Sequence, residues 1–180
     1  MKSVFFYLMM VPLLLLSSCK KEALEDLTPR SEVPAEVRGK WLRGNFSMTD
    51  FWKYDGSYVG NAYSSSQAFQ FTRDGSYEFF LIVKTTDYSC RTEAFTYHKG
   101  TVVFNDDQTF TVYPNQGQYR GFYSCAPNRN FNRPAQASEL KSQTYDYDLE
   151  IDQQGQEWLV IPFKLEDGSV YKNYFKATDW

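Results

Sequence analysis

Between Phe69 and Val83 the chain alternates apolar and polar residues on both sides of an Asp74-Gly75 pair. Phe69 and Phe71 fall on one face of the first arm, and Tyr77, Phe79, Leu81 and Val83 on one face of the second. Asp-Gly tolerates the positive φ of a tight turn, so this stretch predicts a β-hairpin. Similar punctuation recurs at Asp55-Gly56, Asn105-Asp106-Asp107, Asn115-Gln116-Gly117, Gln154-Gly155 and Asp167-Gly168, between runs rich in Tyr, Phe, Val, Ile and Thr. Strands are expected at 39–47, 51–61, 67–73, 76–85, 91–98, 100–105, 109–113, 118–124, 142–152, 157–164 and 169–176, with no segment holding a helical period. Short strands joined by short turns favour an all-β, antiparallel up-and-down meander, closed as a barrel or stacked as a sandwich. In the late strand Tyr145, Tyr147, Leu149 and Ile151 alternate with polar residues, whereas 77–83 and 158–163 are apolar on both faces and are expected to lie centrally.

The N-terminus carries an address. Met1-Lys2-Ser3 precedes an apolar run from Val4 to Leu16, which ends in Ser17-Ser18-Cys19. A basic start, an apolar core and a small-residue exit form a secretory signal, and the run is short for a bilayer span. Leu16-Ser17-Ser18-Cys19 resembles the lipobox of bacterial lipoproteins. That resemblance implies cleavage before Cys19, acylation of its thiol, and attachment to the membrane through an N-terminal lipid, as for a palmitate-bearing protein of the cell envelope. Three regions are therefore expected: a signal peptide over 1–18, a flexible tether over 19–35, and one domain over 36–180. Loss of residues 1–18 leaves 18 basic and 22 acidic side chains. Such a balance offers nucleic acid no general attraction.

At the first expected strand, Val37-Arg38-Gly39-Lys40-Trp41 places a Gly-x-Trp at the opening of an antiparallel meander. With the lipobox, this resembles the lipocalin-like lipoproteins of gram-negative bacteria. The resemblance implies a lipocalin-like barrel in the cell envelope, most simply at the outer membrane, with Gly39 bending the chain into the barrel and Trp41 closing its floor. It also implies a cup for a small, partly apolar or aromatic ligand. The alternative is a barrel with a filled core that docks to another envelope protein.

The remaining chemistry is sparse. With Cys19 used for the lipid, secretion points to a Cys90–Cys125 disulfide, while two free thiols or a metal pair stay open. The single histidine, His98, is read as an exposed residue at a strand end, so no zinc-like ligand set and no histidine-dependent catalysis are expected. Asp146, Asp148, Glu150 and Asp152 read as the wet face of one strand. No enzyme activity, cofactor or metal is inferred. With 14 Tyr and 15 Phe the chain has aromatic rings enough for a core and a pocket lining, and Tyr119, Tyr123, Tyr145 and Tyr147 are the candidate ligand contacts. The stretch 126–141 is long and polar for a turn; it is read as a mobile loop whose Arg129, Phe131 and Arg133 form a lid or contact surface.

Overall fold

The computed structural model describes residues 28–56 and 64–180. The signal peptide, Cys19 and the first part of the expected tether lie outside these residues. The described chain is all-β and antiparallel. Its strands are β1 (Gly39–Arg43), β2 (Ser64–Phe71), β3 (Ser76–Asp87), β4 (Cys90–Phe104), β5 (Thr109–Tyr123), β6 (Phe131–Pro134), β7 (Gln143–Asp146), β8 (Asp148–Ile151), β9 (Glu157–Lys164) and β10 (Val170–Thr178), with one α-helix, α1 (Met48–Lys53). The pairing order is β6-β5-β4-β3-β2-β1-β10-β9-β8, and β7 pairs with β5. This is the expected up-and-down meander. The hydrogen-bonded ladder does not close as one continuous ring: only Tyr147 separates β7 from β8, so a single extended segment pairs first with β5 and then with β9. The Tyr147 N–H donates to the Gln108 carbonyl at this change of partner.

The Asp74-Gly75 hairpin forms as read, with Gly75 at φ 78° and Phe71 opposite Tyr77. Directly opposed residues share a face, so register sorts the side chains. Trp41, Phe69, Phe71, Tyr77, Val102, Phe110, Leu159 and Phe175 bury one face in an inner cluster. Ala68, Phe80, Ile82 and Phe95 bury the other face under Phe51 of α1, with Phe46 and Trp180 packed alongside. β3 is thus covered on both sides, as its doubly apolar sequence requires. Each fully buried aromatic ring contributes about 2–3 kcal/mol.

Several expectations are revised. The expected strand 51–61 begins as α1, because helix formation turns Phe51 into the pocket of Phe46, Phe80 and Phe95, and the Arg120 guanidinium donates to the Phe51 and Trp52 carbonyls at its C-terminal end. Residues 57–61 of that expectation lie outside the described residues. The four short strands expected between 91 and 124 are two of 15 residues each, joined past a register shift at Lys99/Gly100 rather than broken by turns. A Cβ on Gly100 would meet the Tyr113 carbonyl oxygen at 2.0 Å, so only glycine lets β4 and β5 approach there. The packed domain also reaches back before residue 36. Ser31 and Val33 donate backbone hydrogen bonds to the Val102 and Arg73 carbonyls, and Val33 and Val37 are fully buried against the inner cluster. Ile151 of the late strand is 71% exposed, because β8 runs past the inner cluster there.

Candidate functional site

The inner face is built in horizontal rows that the register spells out. One is Trp41, Phe69, Phe79, His98 and Gly117, on β1 to β5 in order, with Gly39, Phe71, Tyr77 and Gly100 in the row below it. Trp41 is buried and its Nε1–H donates to the Val37 carbonyl at 2.8 Å, closing the base of the sheet with the 3-10 turn at Ala35–Val37. Gly39, at the start of β1, has φ 112°, a conformation that side-chain-bearing residues rarely adopt, and nothing within 4 Å of where a Cβ would stand. The aromatic base continues through Phe71, Phe104 and Phe110 to Tyr145 and Tyr147, whose rings lie 5.1 and 5.9 Å from Phe110. Burial pushes the Tyr145 phenol up to about 12. These two tyrosines belong to the base.

The next row up is polar: Arg43, Gln67, Leu81, Thr96, Tyr119 and Arg133, running from β1 to β6. The row above it is small and apolar: Ser65, Val83, Ala94, Gly121 and Phe131. Leu81 and Val83 are half-buried, Ala94 is exposed, and none of them packs into either apolar cluster. From β2 to β6 the inner face is therefore filled with rings at its base and less covered above it, whereas on β9 and β10 Leu159, Ile161 and Phe175 stay buried.

The segment expected as a mobile loop is ordered against this face. It contains β6 and two 3-10 turns, and β6 pairs with β5 through Tyr119–Arg133 and Gly121–Phe131. Side chains alternate to fit. The Arg129 guanidinium lies 5.7 Å from the Tyr123 ring centre, Phe131 fills the space that a Cβ on Gly121 would take, and the Arg133 guanidinium lies 5.1 Å from the Tyr119 ring. Arg133 donates two parallel hydrogen bonds to Glu139, at 2.8 and 2.7 Å. These bonds, with the Gln136 N–H, hold the Glu139 carboxyl down at about 2. The lid residues Arg129, Phe131 and Arg133 thus gather with Tyr119 and Tyr123, apart from Tyr145 and Tyr147.

His98 is not an exposed strand end. It sits within β4 on the inner face, where Nε2 shares a 2.8 Å hydrogen bond with Tyr119 Oη. Burial lowers the His98 pKa, with Glu139 opposing, and burial raises that of Tyr119, so at neutral pH the pair is an uncharged imidazole beside a protonated phenol. The sequence signal missed here was Gly117: without its side chain the ring of His98 has room to turn inward. Among the acids of the late strand, Glu150 pairs with Lys172 and Asp152 accepts from Gln154, Gln156 and Trp158. Among the described residues no cluster of three or more His, Cys, Asp or Glu is placed to hold a metal ion. Open depressions of about 230 and 280 Å³ lie on the outer face, around Gln70, Glu78 and Lys99 and around Glu150, Asp152 and Trp158.

Cys90 and Cys125 form a disulfide, Cα to Cα 5.1 Å, which ties the far end of β4 to the start of the 126–141 segment. No helix among the described residues is long and apolar enough to cross a membrane, which says nothing of strands. In comparisons with known proteins, no family model matches the chain and no curated protein matches it.

Proposed function

We propose that this chain is a lipid-anchored envelope protein that holds a small, partly apolar ligand in the open upper half of a lipocalin-like barrel. The observation that carries the reading is the layered inner face: an aromatic base capped by Trp41, then the polar row with half-buried Leu81, then half-buried Val83 and exposed Ala94. A concave face with apolar walls and a few polar groups is the common form of a small-molecule site. The anchor rests on Leu16-Ser17-Ser18-Cys19, and the barrel on the Gly39-x-Trp41 opening of an antiparallel meander. Nothing here calls for a cofactor, and no catalytic residue is assigned.

Two measurements test it. Native mass spectrometry of the exported, oxidised chain is expected to release a bound small molecule; a ligand-free mass in repeated preparations counts against the cup. Radiolabelled palmitate is expected to enter the wild-type chain and not Cys19→Ser. A second reading, docking to another envelope protein, is favoured by Phe163, Leu165, Val170 and Tyr171, which are about half exposed on the β9–β10 hairpin. Under that reading no small molecule is released, and polar substitution at Phe163 and Tyr171 abolishes recovery of a cross-linked partner.

A further inference from the structure

The polar row is asymmetric in charge. Its two ends are arginines, and Arg133 is neutralised by Glu139. Arg43, at the other end, has no carboxylate within 4 Å among the described residues: its Nε donates to Gln67 Oε1 at 3.2 Å and Nη2 reaches Ser65 Oγ at 3.5 Å, both uncharged. A guanidinium has five N–H donors, so most of its fork is unused. The Gln67 amide, half-buried beside it, also carries an NH₂ donor. Arg43 faces inward, because it stands opposite Gln67 two residues beyond the Trp41–Phe69 pair, while Leu42 packs into the outer cluster. The remaining basic groups buried near the sheet are otherwise engaged: Arg120 in the outer cluster by the carbonyls of α1, and Arg91 and Lys84 by Glu93.

A half-buried cation with no counter-ion among the described residues, beside half-buried Leu81 and Val83 and exposed Ala94, fits one ligand chemistry. Resting on the reading of the barrel as a cup, we infer that the ligand is an anionic amphiphile whose carboxylate is held by Arg43 and Gln67 and whose apolar body lies over Leu81, Val83 and Ala94 toward Phe131. The carboxylate completes the guanidinium fork in two parallel charge-assisted bonds, the strongest hydrogen-bonded pair that side chains make. The row above accommodates the body: Val83 stands opposite Ala94, and Ala94 opposite Gly121, so the middle of that row is low, with Phe131 closing its far end. At the other end of the polar row the uncharged His98–Tyr119 pair and the neutralised Arg133 offer an anion no net positive charge, which leaves Arg43 as the anion's position.

The test is calorimetric titration of the exported, disulfide-bonded chain with decanoate, 1-decanol and butyrate. Decanoate is expected to bind at least about ten-fold more tightly than either, since decanol lacks the charge and butyrate the body. Arg43→Leu is expected to weaken decanoate on the order of 10- to 100-fold, the range for losing a hydrogen bond to a charged group, and to leave decanol unchanged. Ala94→Trp, on an exposed position, is expected to weaken both. Arg43→Gln keeps the bond to Gln67 without the charge and serves if the leucine variant does not fold; it too is expected to lose the preference. Equal binding of decanoate and decanol to the wild-type chain, or an unchanged preference in either folded Arg43 variant, overturns the anionic class and leaves the cup standing. No binding of decanoate or decanol overturns both. Butyrate binding as tightly as decanoate overturns the apolar body and leaves a small-anion site at Arg43.

Discussion

At the scale of single residues, the least expected group is Glu93. Its strand position reads as an ordinary polar site, yet it is 1% exposed on the outer face, with Lys84 Nζ and Arg91 Nε at 3.4 and 3.3 Å and one carboxylate oxygen that accepts no hydrogen bond. Burial pushes its carboxyl up from 4.5 to about 7. An acid whose native pKa is raised stabilises the fold below its unfolded value and loses that contribution as pH rises through the native value. Stability is therefore expected to fall between about pH 4.5 and pH 7, by an amount on the order of 3 kcal/mol at most, which the two cations reduce. His98 works in the opposite direction: its lowered pKa adds stability as pH rises through the ordinary imidazole range. Comparison of Glu93→Gln with wild type isolates the carboxyl. Urea midpoints at pH 5 and pH 8 are expected to show a flatter decline in the variant; parallel curves would sink the assignment.

At the scale of elements, α1 shows how tertiary contacts override local pattern. Six residues are too few to hold a helix on intrinsic propensity. What holds it is Arg120, which lies over the rings of Phe51 and Phe95 at 4.9 and 4.8 Å and donates to the Phe51 and Trp52 carbonyls. A guanidinium bonded to carbonyls at a helix C-terminus complements the end of the dipole as well. Arg120→Met keeps much of the apolar stem and removes both bonds; a loss of about 2–4 kcal/mol is expected. Hydrogen exchange should accelerate most in 48–53 while the β3–β4 amides keep their protection. Uniform acceleration across the sheet would mean that Arg120 supports the sheet rather than the helix. By contrast the hairpins were legible, because Asp74-Gly75 and Asp167-Gly168 each supply a glycine at positive φ and an aspartate that accepts from the turn.

At the scale of the molecule, the fold is tied at both ends. Residues 29–37 run across the base, where the Thr101 hydroxyl donates to the Pro29 carbonyl and Phe104 N–H to the Ser31 hydroxyl. The Cys90–Cys125 disulfide, separated by 35 residues in sequence, ties the opposite end. In the chain-entropy view that loop contributes about 3–4 kcal/mol. Reduction with a dithiol is expected to lower the unfolding free energy by that amount, read as a shift of the denaturant midpoint with an increased slope. An unchanged midpoint would mean that β6 and the Arg133–Glu139 pair restrain the segment without the covalent link. The inner face lies between the two ties. Its base is a packed aromatic core, and its upper rows are where ligand chemistry is to be sought.

The sequence by itself determined the antiparallel strands, most of their turns and which residues share a face of each arm, while the Cys90–Cys125 bond, expected beside two open alternatives, was settled by the structure. The first three are local properties: period-two alternation and a glycine at positive φ. Only the tertiary structure decided which tyrosines meet. Alternation put Tyr119, Tyr123, Tyr145 and Tyr147 on strand faces, but cross-strand register sent Tyr145 and Tyr147 into the base beside Phe110 and brought Tyr119 and Tyr123 under Arg133 and Arg129. The same register lined up Arg43, Gln67, Thr96 and Tyr119 from residues up to 76 positions apart in the numbering, a juxtaposition no local window contains. α1 and the ordered 126–141 segment were hidden for a related reason: each is held by partners distant in sequence, Arg120 for the one and Tyr119, Gly121 and Tyr123 of β5 for the other.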